Sequence, residues 1–349
     1  MCSARVETAA FQILLNGRPL ANNLSSAITA VEVSNQLNVP GMFSFTFNLM
    51  SPQGNWQGVD LETFKPGAKV EVQLGIGQPK SLIKGQIYAI DPSFGPYSSA
   101  TVSGFDAMAR LRFGNHTRDY ENMDENQIAI TAAKSSQVKV VTPGAAVALN
   151  AWVCQSEQSN YDFILGRCKL IHYELVVSGT DVQFRPSAEG LSPVKTLSFP
   201  LNLHSVSLQL RVRTEGSSVK AVSFDPLTNQ QIVAQSNPNT TRVKMGGSET
   251  GYDFSSDFPS ASMALADYSI TRVEALQAYA NAEYLKNVGG FIEGSAELAG
   301  DPSLVAGVNV RLKGLSQSFD GIYYVQGSTH RYDLDSGYRT SLTLKRSGA

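Results

Sequence analysis

The sequence predicts a mainly β fold with an α+β insert, organised around two similar antiparallel, tube-like β-barrels, the second of them split by a loop and a helix. Three observations predict it. A β-meander of one pattern stands near each end of the chain. A strand with phenylalanine at every second position precedes the first copy. Between the copies, two helical segments and a hairpin interrupt the strands.

The first meander runs over 66–74, 83–90 and 100–105, and the second over 305–312, 319–325 and 338–344. Each has a glycine before an alternating strand (Gly67, Gly307), a second glycine before an aromatic-bearing strand (Gly85, Gly321), and a third alternating strand. Alternation places successive side chains on opposite faces, which is the mark of a half-buried strand. A chain with two similar barrels can build a ring with twice as many similar faces as subunits. A three-subunit ring of that kind can sit against a six-subunit one.

The strands before the first meander follow the same logic. Thr29 to Val33 alternates, and Pro40-Gly41 marks a turn. Phe43, Phe45 and Phe47 then fall on one face, with Ser44, Thr46 and Asn48 on the other. Residues 1–113 therefore form a first domain, a five- or six-stranded antiparallel barrel or sandwich.

Residues 114–190 change character and are expected to be the α+β insert. Asp124-x-x-Gln127 is a capping-box pattern ahead of a short helix. Tyr161, Ile164, Leu165 and Cys168 take helical spacing over 158–170. A hairpin follows, 172–177 and 182–185 around Ser178-Gly179-Thr180-Asp181. Strands resume near Leu197, where Val206–Arg213 alternates and residues 218–224 are expected to pair with it. The second barrel is read as 191–235 plus 290–349, closing around an insertion at 236–289. That insertion holds a loop at 236–262 rich in Ser, Gly, Asn and Pro, then a helix opened by Thr271-x-x-Glu274 and ended near Gly289-Gly290. Val273, Leu276, Ala280 and Tyr284 form its expected buried stripe. A loop of that length is seldom idle, so it is expected to contact a neighbouring chain.

Composition excludes several classes. The 349 residues give ample core for two or three domains. A net charge of −2 lacks the basic footprint of a nucleic-acid binder, so no sequence-specific nucleic-acid partner is expected. Charged residues are only 17 % of the chain, which suits a protein that buries much of its exterior in an assembly. No run approaches the ~20 apolar residues that span a bilayer, so no membrane insertion is expected. Phe11–Leu15 is too short for a secretory h-region and has no basic flank, so synthesis and folding in the cytoplasm are expected. Cys2, Cys154 and Cys168 give neither a disulfide framework nor metal spacing, and Cys168 reads as a buried thiol.

No catalytic constellation emerges, and no cofactor or metal is expected. His116, His172, His204 and His330 have no metal-ligand spacing, and His172 and His330 are read as structural or solvent-facing. Gly75-Ile76-Gly77 lacks the third glycine of a phosphate loop and is followed by Pro79. Asp333 and Asp335 fit a hairpin tip better than a glycosidase pair. Tyr88, Tyr97, Tyr323, Tyr324, Tyr332 and Tyr338 concentrate aromatic area on the meanders, as core or as subunit contact. Tyr97, Tyr332, Asp335, Tyr252, Phe254 and Phe258 are the candidate interface residues.

The ordered set of motifs resembles a family. Val102-x-Gly104-x-Asp106-x-x-x-x-Leu111, followed by the capped Gln127-Ile128-Ala129 helix, is similar to the barrel-to-insert junction of baseplate hub proteins. These are the late control protein D family of contractile phage tails and the N-terminal part of VgrG. Gln158–Leu165 with His172–Leu175 is similar to the family's helix-then-hairpin element, and Val325 to His330 with Gly337 to Leu342 to its closing strands. The resemblance covers nearly the whole chain in order.

The resemblance implies a non-enzymatic homotrimeric hub at the centre of a phage tail or contractile injection baseplate. It implies a hexameric inner tube protein on one end, a trimeric spike on the other, and further baseplate components around it. VgrG-type chains continue into an OB-fold and a β-helical needle, whereas this sequence stops at Ala349, so a separate spike polypeptide is expected. Assembly into a tail or injection particle would follow synthesis. Two rival classes are a β-rich secreted hydrolase or carbohydrate-binding module, and another tail protein such as a distal tail or tube-terminator protein. The missing signal peptide and acid/base pair weigh against the first, and the two-barrel chain against the second.

Overall fold

Phe43, Phe45 and Phe47 all point into one core, and the strand that carries them lies in the middle of the first barrel. The computed structural model describes residues 8–50, 54–145, 149–211, 218–236, 245, 247, 249–251, 253, 262–267 and 269–349. The first barrel consists of β1 (Ala9–Leu15), β2 (Arg18–Pro19), a one-turn helix α1 (Asn22–Ser26), β3 (Ile28–Gln36), β4 (Val39–Asn48), β5 (Lys69–Ile76), β6 (Lys80–Ser93) and β7 (Ser99–Asp106). Its ladder runs β3-β4-β7-β6-β5-β1, antiparallel throughout. Phe64 closes the aromatic cluster, 5.8 Å from Phe45 and 5.1 Å from Phe47 between ring centroids. Burying a side chain of this size contributes roughly 1.5–3 kcal/mol, so these rings are a large part of what holds the barrel.

The insert follows as β8 (His116–Asp124), α2 (Glu125–Ala133), β9 (Val140–Val141), β10 (Leu149–Gln158), α3 (Asn160–Leu170), β11 (Tyr173–Ser178) and β12 (Asp181–Pro186). The capping box is formed as the sequence predicts. Asp124 accepts from the Gln127 N–H at 2.9 Å, and the Gln127 side chain accepts from the Asp124 N–H at 3.1 Å. Tyr161, Ile164 and Cys168 line the buried side of α3, with Phe163 added and Leu165 only partly covered. Burial pushes the Cys168 thiol well above its ordinary range. An Arg167–Glu125 ion pair ties α3 to α2, with Nε 2.7 Å from the carboxylate.

The last part comprises β13 (Lys195–Ser198), β14 (Ser205–Leu210), β15 (Ser218–Asp225), β16 (Gln230–Ser236), β17 (Ser262–Ala266), α4 (Val273–Gly289), β18 (Ile292–Ala299), β19 (Asn309–Lys313), β20 (Gly321–Asp333) and β21 (Gly337–Arg346). The second barrel runs β14-β18-β21-β20-β19-β13, with the β13–β19 pair parallel. Two sequence expectations fail here. Residues 218–224 do not pair with 206–211, the described part of the expected partner strand. β14 pairs with β18, whereas β15 pairs with β16 and β17 in a separate sheet under α4. Alternation fixes which face is buried but not which strand lies alongside, so both pairings satisfied the pattern. The expected capping box at 271–274 is also absent. The helix starts at Val273, Arg272 stands at its N-cap without a side-chain bond, and Val273 is 54 % exposed. Leu276, Ala280 and Tyr284 are buried as expected.

Both barrels belong to one continuous sheet. The outer half of β20 pairs with β3, from Gly327↔Gln36 to Asp333↔Ala30. The insert is clamped against this junction. Asn38, in the β3–β4 turn with φ +63°, donates its N–H to the Leu175 carbonyl at 3.0 Å and accepts from the Leu175 N–H through its side chain at 2.8 Å. Tyr324 donates to Glu174 at 2.5 Å, and Arg185 reaches Glu174 at 3.0 Å and the Gly307 carbonyl at 3.0 Å.

Candidate assembly surface

The two barrels match residue for residue along the meander. The Ile87 N–H donates to Ala68 O at 3.0 Å, and the Val325 N–H donates to Val308 O at 2.9 Å. Immediately afterwards the register shifts in both copies, between Ile87 and Ala89 and between Val325 and Gly327. A bulge of this kind bends the strand and lets it serve two neighbours. The second glycines of the repeat are not equivalent, contrary to the sequence reading. Gly85 faces Val70 and so corresponds to Tyr323, which faces Val310, while Gly321 faces Leu312. A Cβ on Gly85 would lie 2.2 Å from the Phe105 carbonyl, and one on Gly321 would strike the Arg346 guanidinium at 2.4 Å. The two glycines solve separate packing problems.

Extending the match across the sheet exposes a difference. Beyond its bulge, β20 has a neighbour on each side, β21 and β3. Beyond its own bulge, β6 pairs only with β7, and Asp91, Pro92 and Ser93 are exposed. The counterpart of β3 in the second barrel is β14, which pairs only with β18. Val31 and Val33 on β3 are fully buried, whereas their counterparts Val206 and Leu208 are only half-buried. Among the described residues, the outer half of β6 and the strand β14 thus each have one side without a strand partner.

The sheet has one apolar and one polar face. Leu342, Leu344, Val31, Val33, Phe43 and Phe45 point to the cores. The other face carries Ser207, Ser295 and Thr343 in one cross-strand row and Ser341, Thr329 and Ser34 in another, with the pairs Ser44–Ser103 and Thr46–Thr101 beyond. Glu32 faces Arg331 across the barrel junction, and Arg339 lies 3.8 Å from Glu297. This is a hydroxyl-rich wall with balanced charge. An open groove of about 990 Å³ runs along one end of it, bordered by Gln36, His172, Lys286, Glu293 and Lys345.

The candidate residues from the sequence fall in distinct places. Tyr97 is 94 % exposed in the β6–β7 turn, and Asp335 is exposed in the β20–β21 turn. Successive antiparallel pairings make β6 and β20 run in the same direction, so both turns lie at the same end of the sheet. Phe94 and Leu334, 70 % and 67 % exposed, stand in the same turns. Tyr332 packs within the chain, its ring 5.0 Å from Phe11. Tyr323, Tyr324 and Tyr338 are core residues. Tyr252, Phe254 and Phe258 lie outside the described residues, as does most of the 236–262 loop. The open edges on β6 and β14 went unrecognised in the sequence, although Pro92 was a usable sign, since proline within sheets is confined to edges and bulges.

His330 is fully buried between the two cores. Its Nε2–H donates to Leu304 O at 3.1 Å, and its Nδ1 lies 2.8 Å from the Tyr338 hydroxyl and 3.1 Å from Thr340 Oγ1. Burial lowers its pKa to about 4. Burial raises that of Asp106 to about 7, against backbone donors at Gly41 and Met108. These groups sit inside the packing and face no cleft. Among the described residues, no group of three or more His, Cys, Asp or Glu could hold a metal ion. No described helix is long and apolar enough to cross a membrane.

This double-barrel fold with an α+β insert is the fold of several phage tail proteins and of a type VI secretion component. The prophage MuSo2 43 kDa tail protein of Shewanella oneidensis matches at TM-score 0.75 and 14 % identity, covering 97 % of this chain and 99 % of that one. A tail protein of Neisseria meningitidis matches at TM-score 0.70 and 12 % identity, covering 97 % of each. A component of the Escherichia coli type VI secretion system, described as similar to the T4 bacteriophage tail proteins gp27 and gp5, matches at 0.61 and 12 % identity, covering 96 % of this chain and 76 % of that one. No curated protein matches. The family model of the Alg8 N-terminal domain matches residues 5–333, and the chain belongs to that family.

Proposed function

We propose that the chain is a structural hub of a phage tail or contractile injection baseplate, assembling as a homotrimer whose six barrels form one pseudo-sixfold ring. The observation that carries this reading is the internal duplication. Two barrels with the same bulge at the same place present nearly the same surface twice per chain. Three copies then offer six similar faces to a hexameric inner tube while keeping threefold symmetry for a trimeric spike. Closed cyclic symmetry favours head-to-tail contacts of this type. The Ser- and Thr-rich sheet face would line the lumen, where small neutral hydroxyls give cargo little to adhere to.

Two further features support the reading. The turns bearing Tyr97 and Asp335 lie at one end of the sheet, and the insert, joined to the β3–β4 turn, lies at the other. The hub therefore has two chemically different ends, as an adaptor between two partners requires. Its role is mechanical, and no described cluster is arranged for bond breaking. Light scattering of the purified protein, alone and with the spike protein, tests the reading. A trimer is expected, and a monomer at every concentration under both conditions overturns it.

A further inference from the structure

We infer that the outer half of β6 in one copy adds to β14 of the next, in a register set by the intrachain β20–β3 junction. The inference rests on the ring reading above and specifies the contact that closes it. Within one chain, β20 crosses from the second barrel to pair with β3 of the first. Among the described residues, its counterpart β6 has the same bulge and direction but no strand partner on that side, and the counterpart of β3, the strand β14, has none either. The chain thus carries both halves of a junction it has already built once.

The occupant of each edge is a second copy of this chain for three reasons. β6 and β14 have the antiparallel sense that β20 and β3 have. β14 ends the strand order on one side, and the outer half of β6, beyond its pairing with β5, has no strand past it on the other, so a rotation can repeat the contact and close it. Val31 and Val33 are fully buried beneath the existing junction, and the half-buried Val206 and Leu208 are the side chains a second junction would cover. Open strand edges left unpaired are otherwise an aggregation hazard.

The register follows from the pairings already present. Leu342 faces Ala296 as Val102 faces Phe45, so Val206 corresponds to Val31 and Gln209 to Ser34. Thr343 faces Gly327 as Ser103 faces Ala89, so Asp91 corresponds to Thr329. Because Thr329 faces Ser34, Asp91 faces Gln209 of the neighbouring copy, with Ile90 opposite Leu210 and Ser93 opposite Ser207. Pro92 brings no N–H to this ladder, so side-chain burial over Val206 and Leu208 contributes more here than at the junction within the chain.

Paired cysteines test it, in a Cys2→Ser, Cys154→Ser background that leaves only the buried Cys168. Asp91 and Gln209 are exposed polar positions, so Asp91→Cys with Gln209→Cys leaves the cores untouched. Under mild oxidation this pair is expected to give covalent dimer and trimer on non-reducing gels. Asp91→Cys with Ser207→Cys, two residues out of register, is expected to give several-fold less, and the single variants no trimer. A protein that is trimeric by light scattering yet forms no product with the in-register pair overturns this inference and leaves the ring intact. A protein that is monomeric throughout overturns both.

Discussion

Gly67 and Gly307 hold the same backbone conformation at the same point of the two barrels, with φ of +87° and +86°. Each donates its N–H across the turn, Gly67 to Ile87 O at 2.8 Å and Gly307 to Val325 O at 2.9 Å. A positive φ costs an L-residue roughly 1–2 kcal/mol, so alanine is expected to destabilise either barrel by about that much. The two sites differ in their surroundings. A Cβ at Gly67 meets nothing within 4 Å, whereas one at Gly307 comes within 2.4 Å of Arg185 Nη2. Gly307→Ala is therefore expected to cost more than Gly67→Ala, as read by urea unfolding of each variant. Equal costs would mean that Arg185 moves aside freely.

His330 gives the fold an acid-sensitive point. Its pKa is about 4 in the folded chain against an ordinary 6.5, because burial disfavours the charged ring. Between those values the unfolded chain binds the proton and the folded chain does not, so stability falls as pH falls. The full difference is about 3 kcal/mol. The wild type is expected to lose up to that much more than His330→Gln on going from pH 6.5 to 4, measured by denaturant unfolding at each pH. Asp106 acts in the opposite sense. Its folded value is raised from 3.8 to about 7, so its contribution is present at low pH and is lost as pH rises toward 7. Asp106→Asn is expected to steepen the acid loss.

The clamp between insert and second barrel predicts an ordering of mutant effects. Glu174 is almost fully buried and is held by both Tyr324 and Arg185. Burial raises its pKa, while these two partners favour the charged form. Tyr324→Phe removes one charge-assisted bond and is expected to cost about 1–3 kcal/mol. Glu174→Ala leaves Arg185 without its carboxylate and is expected to cost more, about 3–5 kcal/mol. Hydrogen exchange should show the extra opening in β11 and β12 before either barrel core.

The exposed turns predict loss of assembly without loss of fold. Tyr97→Ala and Leu334→Ser remove side chains that are 94 % and 67 % exposed, and each is expected to change stability by less than about 0.5 kcal/mol. On the proposed hub reading, binding of the purified protein to an inner tube protein, read by pull-down, is expected to weaken with either variant and more with both. Unchanged docking would place the tube contact elsewhere.

Much of this architecture is written in local pattern. The Phe43, Phe45 and Phe47 alternation specifies a buried strand face by itself, because the side-chain period of a strand is two. The Asp124 and Gln127 capping box specifies a helix start, because its bonds close within three residues. Gly67 and Gly307 flag the duplication, because few other residues accept their φ. Tyr97 was legible as a candidate contact, and the structure gives it its exposed place. What the sequence left open was partnership. Alternation at Val206–Leu210 fits any neighbouring strand, and only the tertiary structure decided that β14 joins β18 while β15 joins β16 and β17. The same holds for the crossing of β20 onto β3 and for the two open edges it implies. Strand pairing between residues hundreds of positions apart is selected by the packing of whole faces, and no local spacing records that choice.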